Sequence, residues 1–434
     1  MLVIALATFA TAILLSFLLW PISPQTEIDG LTWLSNVPID SPEEFDLESV
    51  QDEIQRSIDK LAEAYPLDYR ALHLAGIVCS ELKQTANSER LLRSSLEMQS
   101  SDNQVRHDLA KLLLLTGRDM EALQILETGR GNGSTQHDFV CLLAETQIRL
   151  GRLLEATATL NAGLKRFPNS AKYWRLFGEL NLQQGDYADA ELYLRKSIEL
   201  DGASEPAHIA LCQSLALQKK SIEANDTRRD LDELRNQNQS KKTAFEEVHR
   251  QTFQRFACST FRSIAILYQD HGDLKSTEQW FERAIRMDPA DLQTLSLLAN
   301  YNRKLGDFET AAEMYRRIVH FQPELISNFT NLANLCMEAG NAQLAEATLR
   351  LAAERNVGSG VSHLQLAKFL LLVNRPADAV APARRAAQEM ETVDSFLVLI
   401  AALDSSGQST LSKEVRTQAR RVAPIDERLM EIPK

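Results

Sequence analysis

The feature that most constrains this 434-residue chain is a period. Similar stretches begin near residues 69, 103, 137, 171, 205, 258, 292, 326, 360 and 393, and every step is 34 residues except 205 to 258, which is longer, and the last, which is 33. Self-similarity at this spacing means one supersecondary unit used many times, because so short a unit cannot bury its apolar face alone and must stack on its neighbours. Tyr173-Trp174-Arg175-Leu176-Phe177-Gly178 is followed by Gly185-Asp186-Tyr187, Ala190 and Leu194. That spacing predicts two helices of roughly fourteen residues around a short glycine turn. The skeleton recurs as Phe261, Ile264, Ala265, Gly272-Asp273, Phe281, Ala284 and Asp288-Pro289. It recurs again as Leu295, Leu298, Ala299, Gly306-Asp307-Phe308, Ala311-Ala312, Tyr315 and Pro323, and then as Phe329, Leu332, Ala333, Gly340-Asn341, Ala345 and Leu349. Small residues such as Gly178 let the first helix approach the second, and the turn glycines supply the left-handed conformation that ends it.

These marks (large, Leu, small, then Gly or Asn at the turn, Ala, aromatic, Ala, Pro) resemble the tetratricopeptide repeat over nearly all of residues 69–426. The resemblance implies an all-α fold, a right-handed superhelix (α-solenoid) of about ten helix-turn-helix repeats. Trp174, Gly178, Gly185, Ala190, Gly272, Phe281, Pro289, Gly306, Ala311, Pro323, Gly340 and Ala345 are then the residues that build it. The expected organisation is an N-terminal array over 67–218 and a C-terminal array over 258–426, with a tail at 427–434. A capping helix at 41–66 should begin after Ser41, where Ser-Pro-Glu-Glu offers an N-cap, a first-turn proline and acidic residues that suit the helix dipole. Its stripe is Val50, Ile54, Ile58 and Leu61, and Pro66 ends it. Residues 409–422, with Lys413, Glu414, Arg416, Arg420 and Arg421, form the polar C-terminal cap. The irregular step, 219–257, is densely charged with balanced sign and reads as extended helices that project from the solenoid or join its two parts. Its apolar positions (Leu231, Leu234, Phe245, Val248, Phe253) are too few for a sustained coiled coil.

The N-terminus is a different kind of sequence. Residues 2–20 carry no charge over 19 positions, close to the roughly 20 that a helix needs to cross a bilayer. No Lys or Arg precedes the run and bulky Leu14 to Trp20 precede Pro21, so an uncleaved transmembrane anchor is favoured over a signal sequence. Residues 21–40, with Pro21, Pro24, Pro38 and Gly30, read as a linker. The first basic side chain is Arg56, so only the N-terminal amine bears on orientation; it favours N-in, which places the solenoid on the extracytoplasmic side.

Lys plus Arg number 47 against 59 Asp plus Glu, a net charge of −12, which argues against a nucleic-acid partner. The five cysteines (Cys79, Cys141, Cys212, Cys258, Cys336) form no CxxC pair and read as small buried residues rather than a disulfide framework or a zinc site. Among eight histidines none has a close partner at ligand spacing, and no phosphate loop, HExxH or GxSxG occurs, so neither a metal, a cofactor nor an enzyme activity is expected. Cys141 or Cys258 as a nucleophile would need a base that nothing in the sequence identifies. The glycine-rich run Gly129-Arg130-Gly131-Asn132-Gly133-Ser134 falls between two repeats and reads as a loop.

Tetratricopeptide arrays bind partners on a concave wall of first helices, through positions 2, 5, 6, 9 and 12 of each repeat; in the repeats at 292 and 326 these include Asn300, Arg303, Asn331 and Asn334. The stretch from Phe329 to Leu335 resembles the asparagine-bearing repeats of the O-linked N-acetylglucosamine transferase arm, which hold a peptide by its backbone. Other repeats lack the asparagine, so it makes a local cluster, with Arg262 and Lys368 at its edges, and the alternative for it is plain solvated helix surface. Arg262, Asn300, Arg303 and Lys368 match only loosely the carboxylate clamp of chaperone-binding members. The expected function is a membrane-tethered, non-enzymatic scaffold that takes a protein or peptide segment in its groove, for example in envelope assembly or export. The alternative is an accessory subunit that docks a membrane-associated enzyme.

Overall fold

The computed structural model describes residues 33–34, 37, 39, 41–131, 136–240, 245–355, 357, 360–423 and 426. Among them every regular element is a helix, 21 in all. α1 (Leu47–Ala64) precedes ten helix pairs: α2 (Tyr69–Glu81) with α3 (Thr85–Met98), α4 (Asn103–Leu115) with α5 (Asp119–Gly131), α6 (His137–Arg149) with α7 (Leu153–Arg166), α8 (Ala171–Gln184) with α9 (Tyr187–Leu200), and α10 (Glu205–Leu217) with α11 (Ser221–Ser240). Then come α12 (Phe245–Asp270) with α13 (Leu274–Met287), α14 (Leu292–Leu305) with α15 (Phe308–Phe321), α16 (Ile326–Glu338) with α17 (Ala342–Glu354), α18 (Gly360–Leu372) with α19 (Pro376–Met390), and α20 (Val393–Ser405) with α21 (Ser409–Val422). Every expected repeat start except 258 is the first residue of a first helix; residue 258 falls inside α12, which begins at Phe245.

Ala190, Phe281, Ala311 and Ala345 are fully buried. A Cβ at Gly178 would stand 2.4 Å from Leu194 Cγ, so glycine is what lets α8 approach α9 this closely. Gly185, with φ +86°, stands in open space and is there for its left-handed backbone. Trp174 is half-buried, its Nε1 donating to the Pro168 carbonyl at 3.0 Å and its ring stacked on Tyr193 of α9 at 5.8 Å, and the fully buried ring is its neighbour Tyr173. One expectation needs correcting. Gly129 to Gly131 belong to α5 rather than to a loop, with Gly129 beneath the Phe139 ring; residues 132–135 lie outside the described residues. Four cysteines are buried and Cys212 is half-buried, and all five are free thiols; burial pushes Cys336 up to about 12 and Cys141 up to about 11.

The chain divides into two compact units, Glu43–Met287 and Asp288–Lys434, the second joined by the stretch that ends at Pro42. In the first unit α1 begins five residues later than Ser41 suggests, capped by Asp46, whose side chain accepts from Ser49 N–H at 2.9 Å. Glu43 is used elsewhere. Its carboxylate takes Arg283 Nη1 at 2.9 Å, while Glu53 holds the same guanidinium in a two-point pair at 2.8 Å. Val50, Ile54, Ile58 and Leu61 are buried as the stripe predicts, against Leu72 and Cys79 on one side and against Phe253, Phe261, Ile264 and Met287 on the other. α1 is therefore no terminal cap: the sixth helix pair packs on the helix that starts the unit. Arg70 pairs with Asp270, His271 bonds Asp68 at 2.9 Å, and the Tyr65 and His271 rings stack at 3.8 Å.

α11 and α12 have 20 and 26 residues, and α11 packs on α10 and α12 on α13. The second unit holds α14 to α21, and in it Trp33 lies on Arg316 of α15. The expected span at residues 2–20 and the tail at 427–434 lie outside the described residues; among those described, no helix is long and apolar enough to cross a membrane.

Candidate functional site

The first helices of the second unit turn a polar line outward. α14 starts at Asp291, whose carboxylate accepts from Thr294 N–H at 2.9 Å, and it buries Leu295, Leu298 and Ala299, which leaves Asn300 and Arg303 exposed one turn apart. α16 buries Phe329, Leu332, Ala333 and Cys336 and exposes Asn331 and Asn334 at the same helical interval. On α18, Lys368 and Leu372 share an exposed face.

Arg303, Asn331 and Asn334 come together in a cleft of about 320 Å³, which Tyr315, Met337, Glu338 and Leu372 complete. The remaining expected residues stand outside its wall. Asn300 adjoins it through Tyr315, whose hydroxyl donates to Asn300 Oδ1 at 3.4 Å, while Asn300 Nδ2 donates to the Ser296 carbonyl of its own helix at 2.9 Å. Lys368 is exposed but not part of the lining. Arg262 belongs to α12 in the other unit and is not among the lining residues.

The asparagines thus fall into two kinds. Asn300 spends its amide within the protein, whereas the Asn331 and Asn334 side chains have no hydrogen-bond partner among the described residues. Arg303 and Glu338 approach to 3.4 Å with both side chains nearly half exposed, a pair worth little in water and easily opened. Burial raises the Tyr315 phenol above its usual range, Glu338 adding to the effect and Arg303 opposing it, so it stays a neutral donor at physiological pH.

Three lining residues escape a reading by repeat position, while Met337 falls at position 12 of the repeat that starts at 326. Tyr315 sits on a second helix, where the pattern marks it as a packing aromatic, and Glu338 lies at the very end of α16. For Glu338 the available signal was helical spacing, since it follows Asn334 by four positions.

Residues 141–205 and 263–325 match the tetratricopeptide repeat family. Among solved structures the chain is similar to YrrB, described as a TPR protein with an unusual peptide-binding site, at 15% identity over 41% of this chain and 91% of that one, with a TM-score of 0.34. It is also similar to MamA from Desulfovibrio magneticus RS-1, at 13% identity over 39% of this chain and 96% of that one, with a TM-score of 0.36. No curated protein matches it. The period, the helix pairs and the matched stretches agree: the chain carries tetratricopeptide repeats at residues 141–205 and 263–325.

Proposed function

We propose that this chain is a non-enzymatic scaffold that holds an extended segment of a partner protein along the first helices α14, α16 and α18, with residues 2–20 fixing it to a membrane. What carries the proposal is the cleft: two unengaged side-chain amides, Asn331 and Asn334, stand one turn apart beside Met337 and an exposed Leu372. An asparagine amide donates to a peptide carbonyl and accepts from its N–H, so such a pair grips main chain without reading sequence. Met337 and Leu372 offer an adaptable apolar seat for one side chain of the segment. Arg303 can turn from Glu338 to an acidic group of the partner at small cost. A membrane anchor at 2–20 with its N-terminus inside places the repeats on the extracytoplasmic side, where holding a segment near the bilayer suits envelope assembly or export.

The test is crosslinking in cells of the full-length chain, tagged after Lys434, beside the variant Asn331→Ala/Asn334→Ala. The expected outcome is a discrete partner whose binding weakens by about 1–3 kcal/mol in the variant while helix content and melting stay as in the wild type. A partner retained at full yield and unchanged stability would return both asparagines to ordinary solvated surface.

A further inference from the structure

In a stacked helix pair the second helix buries one side against its neighbours and turns the other to solvent. Arg93 on α3, Arg195 on α9 and Arg316 on α15 occupy the same place in their repeats, each 24 residues after a repeat start, at 69, 171 and 292 respectively. The first two side chains are 42% and 48% exposed, as that place predicts; Arg316 is 9% exposed. What covers it comes from far away in the sequence. The Trp33 ring lies 4.5 Å from the Arg316 guanidinium carbon, Arg316 Nη2 donates to the Trp33 carbonyl, and Leu34, the next residue in the chain, is buried. Glu313, one turn back on α15, holds Nη1 of the same guanidinium.

This is a recognition geometry rather than a packing accident. A guanidinium is planar and weakly hydrated, so it can be satisfied at its edge by a carboxylate and a main-chain carbonyl while its face carries an indole. The covering segment also completes no repeat: α15 buries Ala311, Tyr315 and Ile318 into the stack without it. It lies outside the period, and the chain that follows it, from Glu43, belongs to the other compact unit.

We propose that the outer face of α15 around Arg316 is a docking surface for a short tryptophan-bearing segment, and that its resident ligand is the chain's own Trp33–Leu34. The selected chemistry is an indole followed by an aliphatic side chain, with the indole residue's carbonyl offered to the guanidinium. The surface is separate from the Asn331/Asn334 cleft and stands whether or not that cleft binds a partner.

The experiment uses the full chain in detergent with both ligand side chains removed, Trp33→Ala/Leu34→Ala, and a fluorescein-labelled synthetic peptide of residues 29–38 followed by anisotropy. The peptide should bind the vacated variant at least tenfold more tightly than it binds the wild type, whose site is filled. Adding Arg316→Ala to the variant, or replacing the peptide's tryptophan by alanine, should cost at least tenfold. A vacated variant that keeps wild-type helix content yet fails to take the peptide would overturn the proposal, as would equal binding with and without Arg316. Should the double variant unfold, Arg316→Lys in the otherwise native chain gives the second measurement. Hydrogen exchange over the peptide containing Trp33 and Leu34 should quicken severalfold, because an ammonium cannot bond at its edge and stack on its face together; unchanged exchange would count against the docking.

Discussion

Gly178 and Gly185 are the same residue doing different work, and substitution separates the two. At Gly178 a methyl group would stand 2.4 Å from Cγ of the fully buried Leu194, so Gly178→Ala must part α8 from α9, at about 1–3 kcal/mol. At Gly185 there is room but φ is +86°, so Gly185→Ala costs about 1 kcal/mol from the left-handed backbone alone. Hydrogen exchange across α8 and α9 measures both; equal effects would mean that the close approach is not what Gly178 supplies. Such residues are legible in sequence because the period assigns each a place, and the same bookkeeping finds Asn331 and Asn334. It cannot tell them from Asn300, which occupies an equivalent position yet turns its amide onto Ser296 and Tyr315. Nor does it separate Trp174 from Tyr173, since a shift of one position on a helix moves a ring by about 100° and exchanges core for surface.

The boundaries of elements follow local chemistry until a distant partner outbids it. Ser41-Pro42-Glu43-Glu44 is a sound helix start, yet α1 waits for Asp46 because Glu43 is drawn to Arg283. That competition leaves no trace in the sequence near Ser41. The corner where α2 begins shows a similar long-range dependence, and there pH becomes a probe. Burial alone would raise the Asp68 carboxyl, but hydrogen bonds from the Arg70 side chain and backbone N–H and from His271 hold it down to about 2. A carboxyl depressed in the folded state contributes stability that is present above its unfolded value, near 4, and is lost as pH falls through the folded value. Asp68→Asn should therefore remove about 1–2 kcal/mol at pH 7, discounted for the exposure of Arg70. The loss should vanish by about pH 2, where the wild type has given up the same contribution. Urea unfolding of the two proteins at pH 7 and near pH 2 checks the sign; a difference that persists in acid would assign the effect to packing instead.

Across the first unit as a whole, the sixth pair rests on α1, and this sets it apart from an array in which each repeat touches only its neighbours. Ile58 is fully buried in the core that α1 shares with α2 and α12. Ile58→Ala should cost about 2–5 kcal/mol and quicken hydrogen exchange in both α2 and α12, while α6 and α7 stay protected. An effect confined to α1 to α3 would mean that the α12 contact contributes little. The ten pairs were legible from the sequence because a period is a local signal repeated many times. The closure was not, because it joins Glu53 to Arg283 and Tyr65 to His271 with no recurrence to mark it. It also sets a timetable. The ribosome emits α1 early and its second neighbour, α12, only after about 190 more residues, which at ~5–20 residues per second is on the order of 10–40 s. Through that interval the newborn chain carries an apolar stripe with one side uncovered, so the unit depends on chaperones, or on the speed of translation, in a way that an open row of repeats does not.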